Sequence, residues 1–397
     1  MVTRFPLGVG LILLAVFLTA LTPAAQAPAP LPVFAPTTTH GGVVYVSGVL
    51  PAPASTGAAL PDDIRAQTTN VLDALSFRLT KAGSGLDRVL TLHVYLKRAG
   101  DFAAMNEVWS KYWPKDPPSR TTVIAESPAA GALIQVAAIA AAPGATREVV
   151  HPQAWIKSPS PYSYAVRSGD TLYLAGLVAR KGTDNSIIKG DITVQTQAAL
   201  ENARAILTEA GYTLDDVVSS RVFLTDVANF ARMNEAYRAA WAKDPPARAT
   251  VVTGLMSPDY LVEVTLTAVK GGARTALTTP GADGKPGQAN PNLSSAIATG
   301  GRMFLSGMLG IVPGAPPDTR QQTRELLTRL GRTMAAGSVS WKHVVDSIVY
   351  VTEAAGAPAA LEAFREQCGA ALPTGSVVVT GLVSAEGRVE IMLTAGK

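Results

Sequence analysis

The sequence repeats itself along its 397 residues, and the repeat limits the folds available to it. An offset of 128 residues separates Met105 from Met233, and the segment Lys115–Val123 recurs at the same offset as Lys243–Val251. Self-similarity at one fixed offset is typical of chains that fold as repeated copies of one supersecondary unit. We therefore expect tandem domains of one kind rather than unrelated domains joined in series.

A third copy occupies the C-terminal part of the chain, although it matches the others less closely. Leu305–Met308 repeats the glycine motif Val46–Val49 of the first copy. A segment rich in proline and glycine separates each copy from the next, which is typical of a surface linker. The predicted domains are 33–143, 157–271 and 290–397, the last of them degenerate.

The composition excludes several classes of protein. Hydrophobic residues make up 47% of the chain and charged residues 16%, which excludes an intrinsically disordered protein. The net charge of +4 is small and no basic run is present, so nucleic acid is not an expected partner. Cys368 is the only cysteine, which excludes an intrachain disulfide and a cysteine-based metal site. No metal-binding spacing is found among the histidines His40, His93, His151 and His343.

The N-terminus has the pattern of a secretory signal. Arg4 precedes the apolar run Leu7–Leu21, and the small-residue segment Ala25–Ala27 follows it. The run has 15 residues, fewer than the roughly 20 that a membrane-spanning helix needs. We therefore expect residues 1–27 to be a cleaved signal peptide and the protein to be exported, either periplasmic or secreted, with no stable membrane span. An uncleaved signal would instead leave an N-terminal membrane anchor.

Each copy contains the same order of predicted elements, ββαβαββ. In the second copy, apolar residues recur at helical spacing over Ala199–Ala210. The helix that carries Met233–Glu235 ends at the pair Pro245–Pro246, because proline cannot continue a helix. The last two strands, Ala249–Thr253 and Leu261–Val269, are predicted to form a β-hairpin that closes the unit.

The predicted fold class is α/β (α+β), with two helices covering one face of each sheet. The other face of the sheet also carries valine and leucine and must be buried against something. Three copies in one chain can bury these faces against each other around a pseudo-threefold axis, with the sheets inward and the helices outward. Such a single-chain pseudo-trimer is expected to be monomeric.

An arginine and a glutamate occupy corresponding places in the predicted hairpin. Arg248 and Glu263 are 15 residues apart, which would put them opposite each other on one face, with Cβ atoms roughly 5 Å apart. The corresponding pairs in the other copies are Arg120 with Gln135 and Gly375 with Glu390. A cross-strand ion pair on an exposed face is the alternative interpretation of this spacing.

The order of motifs in the second copy resembles that of the RidA family of enamine/imine deaminases. These motifs are Pro161–Ser163, Leu174–Gly176, Met233–Glu235, Pro246–Arg248 and Val262–Val264. The resemblance extends over all three copies and is strongest in the second. It implies a chorismate-mutase-like fold and a homotrimer, here fused into one chain, with sites between subunits. It also implies hydrolysis of 2-imino or enamine acids to 2-oxo acids and ammonia, without a cofactor.

The resemblance assigns roles to individual residues. The arginine that holds the substrate carboxylate maps to Arg248 and Arg120, since a planar guanidinium can donate two hydrogen bonds to a carboxylate. The acid that activates water maps to Glu263 and Glu390, and an adjacent arginine is expected to keep it ionised. The other implied pocket groups are Tyr162, Asn234, Asn106 and the backbone N–H groups of Thr250 and Thr122.

Departures from this pattern predict one complete site, centred on Arg248 and Glu263. In the first copy Gln135 replaces the acid and Phe34 stands near the tyrosine position. The third copy has Gly375, Leu361 and Leu293 in place of the arginine, asparagine and tyrosine. The sequence leaves open which neighbouring copy completes which pocket. It also leaves open a second function, that of a non-catalytic protein that binds small carboxylates such as 2-oxo acids.

Overall fold

The structure is a computed structural model that describes residues 1–2, 33–55 and 58–397. Residues 33–397 form a single structural body. The predicted signal peptide at 1–27 lies almost wholly outside the described residues, so it remains a prediction. Over the part of the chain that is described, none of the helices combines the length and the hydropathy needed to cross a bilayer.

The predicted ββαβαββ order is present in all three copies, here called the first, second and third unit, with the short strands β6, β12 and β17 added to it in the second and third. The first unit consists of β1 (Thr37–His40), β2 (Val43–Val49), α1 (Ile64–Lys81), β3 (Val89–Leu96), α2 (Phe102–Tyr112), β4 (Ser119–Ile124) and β5 (Ile134–Ala141). The second consists of β6 (Glu148–Val150), β7 (Ala165–Ser168), β8 (Thr171–Leu174), α3 (Ile192–Glu209), β9 (Val217–Leu224), α4 (Phe230–Arg238), β10 (Ala247–Val252) and β11 (Val262–Val269). The third consists of β12 (Thr275–Leu277), β13 (Ala296–Thr299), β14 (Arg302–Leu309), α5 (Thr319–Ala336), β15 (Val344–Val351), α6 (Ala357–Cys368), β16 (Thr374–Val379), β17 (Gly381–Leu382) and β18 (Val389–Gly396).

The first helix of every unit begins at an aspartate in an equivalent position. Asp63, Asp191 and Asp318 are the N-cap residues, and their side chains accept hydrogen bonds from backbone N–H groups of the first turn. An N-cap acceptor satisfies a donor that the helix itself leaves unpaired, and it stabilises a helix by about 1 kcal/mol. The repeated cap explains why the three helices begin in register and have the same length.

The predicted closing hairpin is wrong. The second sheet has the order β17-β10-β9-β11-β8-β7-β6, so β9 lies between β10 and β11. Arg248 is opposite Ser220 and Glu263 is opposite Phe223, each paired with β9 rather than with each other. The reason is that α4 forms a crossover between β9 and β10, which makes these two strands parallel neighbours. The chain then crosses to the far side of β9 to form β11.

The inner faces of the three sheets pack against each other, as the pseudo-trimer requires. Tyr95, Phe223 and Tyr350 occupy equivalent positions on β3, β9 and β15, and all are almost fully buried in one shared cluster. Each unit has a further core of its own between its sheet and its helices. Burying a large apolar side chain contributes roughly 1.5–3 kcal/mol. The units therefore stabilise one another, with the helices on the outside.

Candidate active site

The structure places the predicted site residues at three interfaces between units. The first interface joins the first and second units and holds Arg120, Asn106, Thr122, Tyr162 and Glu263. The second joins the second and third units and holds Arg248, Asn234, Thr250 and Glu390. The third interface joins the third and first units. It holds Gln135, which lies next to β16, the strand that carries Gly375.

Glu263 and Arg120 share the first interface. They line a cavity of about 160 Å³ together with Tyr162 and Thr122. The chain before β7 is held beside the first unit because the backbone N–H of Ser163 donates to the carbonyl of Pro118 at 3.0 Å. This contact brings Tyr162 of the second unit over the edge strand that carries Arg120.

The predicted site centred on Arg248 and Glu263 is therefore wrong, because the two residues face different neighbours. The positive charge that acts on Glu263 is that of Arg120, whereas Arg248 acts on Glu390. Arg120 and Arg248 lie on the equivalent strands β4 and β10, whereas Glu263 and Glu390 lie on β11 and β18. These strands are separated by β3, β9 or β15 in each sheet, so a unit presents the two positions to different neighbours. Pairing runs from one unit to the next, and the first interface is the one with an arginine, a glutamate, an asparagine and a tyrosine.

Glu263 is only 6% exposed, and its protonation is determined mainly by that burial. Burial raises the pKa of Glu263 to about 8, although the backbone N–H of Thr122 and the charge of Arg120 oppose the rise. The neighbouring arginine acts in the expected direction, toward ionisation, but burial opposes it and has the larger effect on this pKa. The N–H group of Thr122, predicted to bind the substrate carboxylate, lies close enough to Glu263 to lower the pKa of that carboxyl.

Arg120 is held by aromatic rings rather than by a carboxylate. Its Cζ lies 5.0 Å from the ring centre of Trp109, 5.6 Å from that of Phe102 and 6.0 Å from that of Tyr162. Burial lowers the pKa of Arg120 to about 10, so the side chain still carries its charge at neutral pH. Its buried Nη1 has no hydrogen-bond partner among the described residues. A buried donor in this state is suited to an incoming acceptor.

Asn106 distinguishes the first interface from the second. It lies on α2 between Phe102 and Trp109, on the helix face that contacts Arg120. Within the described chain its buried Oδ1 accepts no hydrogen bond. In the second unit the equivalent Asn234 accepts a hydrogen bond of 2.6 Å from Nη2 of Arg248. Arg248 is thus bonded to its own unit through Nη2, although its Nε and Nη1 have no partner among the described residues, whereas no such bond joins Arg120 to Asn106.

A glycine gives each glutamate its space. A Cβ atom at Gly176 would overlap the Glu263 carboxylate, and one at Gly307 would overlap that of Glu390. These are the glycines of the repeated Ser/Ala-Gly motif. Their role is therefore to admit a buried carboxyl group against the backbone of the neighbouring strand.

The third interface has lost its site. Gly375 stands where the other units have arginine, and the ring of Phe34 fills the space beside it. The backbone N–H of Gly375 donates to Oγ of Ser47 at 2.9 Å, so the strand contact itself is preserved. Gln135 replaces the glutamate, and its Oε1 is buried without a partner in the described residues. At this interface an aromatic ring and an amide therefore occupy the positions that hold the charged arginine and glutamate at the first interface.

We expect Gly375→Ala to destabilise the protein by about 1–3 kcal/mol, the usual cost of overpacking. The added Cβ would overlap the Phe34 ring and Oγ of Ser347. Urea unfolding measures the change. Gly100→Ala is the matched control, since a Cβ there meets nothing within 4 Å. Equal midpoints for the two variants would contradict this account of the interface.

Arg180 and Tyr260 were missed by the sequence analysis, although both line the cavity at the first interface. Arg180 lies four residues after the motif glycine Gly176, in the segment that follows β8. The equivalent positions after the other two motif glycines hold Ala52 and Ile311. A charged residue found in one copy alone is the signal that could have revealed it.

Another cavity, of about 70 Å³, lies where the inner faces of the three sheets meet. It is lined by His93, Arg221 and Asp346, one from each unit. An Nη2 atom of Arg221 lies 2.8 Å from Nδ1 of His93, and the charge of Arg221 acts on Asp346. Asp346 accepts a hydrogen bond from Thr374, and Nη1 of Arg221 has no partner among the described residues. The cavity is a polar part of the core. In the described ranges no three metal-ligating side chains cluster.

Comparison with known proteins gives matches in all three units. The family model described as Endoribonuclease L-PSP matches residues 24–142, 153–270 and 285–397. A RutC family protein of Pyrococcus horikoshii is 39% identical over 124 residues, which are 31% of this chain and 98% of that protein. The 3-aminoacrylate deaminase RutC of Acinetobacter baylyi is 34% identical over 118 residues, 30% of this chain and 94% of that protein.

Solved structures match in the same way, as single units. The crystal structure of RidA from an Antarctic Psychrobacter is 29% identical to this chain. The match covers 31% of this chain and 99% of that chain, with a TM-score of 0.30. Each of these relatives is therefore the length of one unit.

Proposed function

Because the chain belongs to the RidA family, whose model is described as endoribonuclease L-PSP, we propose that it hydrolyses small 2-imino or enamine acids to 2-oxo acids and ammonia. The reaction takes place at the first interface. The observation that carries the proposal is an unpartnered, buried guanidinium, that of Arg120, in the same cavity as a buried carboxyl group, that of Glu263. A relative named as a 3-aminoacrylate deaminase supports the reaction class.

Binding begins with the substrate carboxylate. Nη1 of Arg120 donates to it, and the aromatic rings around the guanidinium fix its direction. The N–H of Thr122 completes the binding once the carboxylate draws it from Glu263. Tyr162, whose pKa is raised by burial, stays neutral and closes the cavity over the ligand. In this proposal C2 and C3 of the bound substrate lie beside Glu263, which lines the same cavity as Arg120.

Glu263 then acts as an acid and as a base in turn. With an enamine substrate the protonated carboxyl donates its proton to C3, which breaks the C2–C3 double bond and leaves an iminium at C2. The carboxylate so formed takes a proton from water as the water oxygen bonds to C2. The resulting carbinolamine loses ammonia to give the 2-oxo acid. The net reaction consumes one water and returns Glu263 to its protonated form, and no cofactor is required.

Binding without turnover is favoured at the second interface by the contacts of Arg248. Nε and Nη1 of Arg248 are buried without partners in the described residues, so they can still hold an anion. Asn234 engages Nη2, however, and Leu293 replaces the tyrosine. We assign the second interface a secondary, non-catalytic role in binding small carboxylates.

Export from the cytoplasm and a monomeric state are further parts of this proposal.

The direct test generates an imine from alanine with an amino-acid oxidase and traps it with semicarbazide. Purified protein should compete with the trap and convert the imine to pyruvate and ammonia faster than water alone does. A rate that never exceeds the spontaneous hydrolysis would overturn the proposed activity. If the protein does not accelerate hydrolysis but still binds pyruvate, it is a carboxylate-binding protein and not an enzyme of this class.

The pH dependence of imine hydrolysis should follow the ionisation of Glu263. The imine needs no protonation at C3, so only the carboxylate form of Glu263 is active. Because burial raises the pKa of Glu263 to about 8, kcat/KM should rise with pH from 6 and level off above about 8, nearly tenfold per unit at the low end. Initial rates corrected for spontaneous hydrolysis measure this. A profile that is flat from pH 6 to 9 would contradict the assignment of Glu263 as the base.

A further inference from the structure

The cavity at the first interface contains a second guanidinium, that of Arg180, which the proposed reaction does not use. Its Nε donates to the hydroxyl of Tyr260, and its Cζ lies 5.4 Å from the centre of that ring. Its Nη1 donates to the backbone carbonyl of Asn185 at 3.2 Å. Asn185 has a φ of 60°, a left-handed conformation that turns the loop back toward the arginine. The Arg180 side chain is thus held in one orientation by Tyr260 and Asn185.

No carboxylate compensates the charge of Arg180. None of the salt bridges between described residues includes it, and neither hydrogen bond noted above is made to a charged group. Arg120, the other guanidinium of the cavity, also lacks a salt bridge. Both charges act on Tyr162, which lines the cavity with them. Glu263 is the carboxyl group of the same cavity, and burial raises its pKa to about 8, so the two guanidinium charges are uncompensated whenever it is protonated.

A substrate with one carboxylate would therefore neutralise only one of two cations. The same cavity is lined by Ser158, Ser160 and Ser257, whose hydroxyl groups can donate to an anionic group. A dianionic ligand matches the cavity in both sign and number of charges. Complementarity of this kind determines specificity among ligands more than it determines total affinity.

The second cation and the residue that holds it occur together in one unit. Tyr260 corresponds to Ala132 in the first unit and to Gly387 in the third, just as Arg180 corresponds to Ala52 and Ile311. Arg180 and Tyr260 thus accompany the one interface that has every other group of the site. An arginine with a purely structural role would not be expected to occur only at the interface that has the complete site.

We propose that Arg180 binds a second anionic group of the substrate, so that this site takes imino or enamine dicarboxylic acids in preference to monocarboxylic ones. The inference rests on the proposed deamination and names its substrate class. Arg120 holds the carboxylate next to the reacting C2 atom, and Arg180 holds the distal carboxylate. Arg180 determines specificity and takes no part in proton transfer.

The test compares imines generated in place from aspartate, glutamate and alanine by amino-acid oxidases. We expect kcat/KM for at least one dicarboxylic imine to exceed that for the alanine imine by tenfold or more. Arg180→Met should lower the dicarboxylic value about tenfold, chiefly through KM, and change the alanine value by less than twofold. Arg180→Lys should recover part of the loss, because the charge is kept.

Two control variants separate specificity from folding. Tyr260→Phe removes the hydroxyl that holds Arg180 and should give a smaller loss of the same kind. Arg204→Met, on the exposed side of α3 and paired only with Glu201, should leave both values unchanged. Equal kcat/KM for mono- and dicarboxylic imines, or an equal fall in both with Arg180→Met, would overturn the inference.

A calorimetric titration distinguishes this inference from the proposed activity. Oxaloacetate should bind the protein at least tenfold more tightly than pyruvate, and Arg180→Met should remove the difference. If this preference is found but no imine is hydrolysed, the deaminase proposal fails while recognition of a dianion stands. If the protein hydrolyses imines but binds the two 2-oxo acids equally, recognition fails while the deaminase stands.

Discussion

Arg120→Met should lower kcat/KM for imine hydrolysis by about a thousandfold, while Arg248→Met should lower it by less than about threefold. Arg120 has a buried donor without a partner and lies in the same cavity as Glu263 and Tyr162. Losing the group that orients a substrate removes binding energy and positioning together, which accounts for an effect of this size. Nη2 of Arg248 is already bonded to Asn234. Leu293 of the third unit stands at the position equivalent to Tyr162.

The two arginines form a matched pair, because they occupy the same position in consecutive units and are both nearly fully buried. Loss of stability alone would therefore affect both variants similarly. Circular dichroism and urea unfolding of each variant verify this point. A larger loss of activity with Arg248→Met than with Arg120→Met would place the working site at the second interface and refute the assignment made here.

The order of elements could be predicted from sequence because it depends on local patterns. Helical spacing, the proline pairs after α2 and α4 and the repeated aspartate caps each act within a few residues, and the threefold repeat presents every pattern more than once. Strand pairing is not local. Arg248 and Glu263 are separated by a number of residues that fits a hairpin, yet β9 lies between their strands.

General rules supply only part of the pairing. A strand, a helix and a second strand in one sheet form a parallel crossover, which predicts that β9 and β10 are parallel neighbours. The rule does not say whether β11 pairs with β10 or with β9, and in the structure the other edge of β10 pairs with β17 of the third unit. What no rule supplies is the neighbour across an interface. That Arg120 meets Glu263 follows from how whole sheets pack, and the deep burial that determines the pKa of Glu263 follows from the same packing.

Glu263→Gln should abolish at least 99.9% of the activity, a loss of roughly a thousandfold, because an amide can orient water but cannot take its proton. Gln135 is the natural example of this change at the third interface, and that interface has no arginine either. Glu390→Gln is the matched control at the second interface and should retain most of the activity. Nearly equal losses in the two variants would indicate that both interfaces turn over substrate.

The same substitution should make the protein more stable in alkaline solution. Burial raises the pKa of Glu263 to about 8, above the value of roughly 4.3 expected in the unfolded chain. The folded state therefore holds a proton that the unfolded state has released, and the stability this carboxyl confers is fully present below about pH 4 and lost as the pH rises through about 8. Glutamine never ionises, so its burial cost does not grow with pH.

Between pH 5 and pH 8.5 we expect the free energy of unfolding of Glu263→Gln, relative to the native protein, to rise by on the order of 4 kcal/mol, because about 1.4 kcal/mol is lost from the native protein for each of the roughly three pH units between pH 5 and the pKa of about 8. Glu390→Gln should behave alike, since burial also raises the pKa of Glu390 to about 8. Urea unfolding at the two pH values measures both. A Glu263→Gln variant that is less stable at pH 8.5 than at pH 5, relative to native protein, would show that Arg120 outweighs burial and keeps the carboxyl ionised. If both variants are stabilised at pH 8.5 but only Glu263→Gln loses activity, the two effects are separate. The buried acid at the first interface then lowers the stability of the fold and is retained because the reaction needs it.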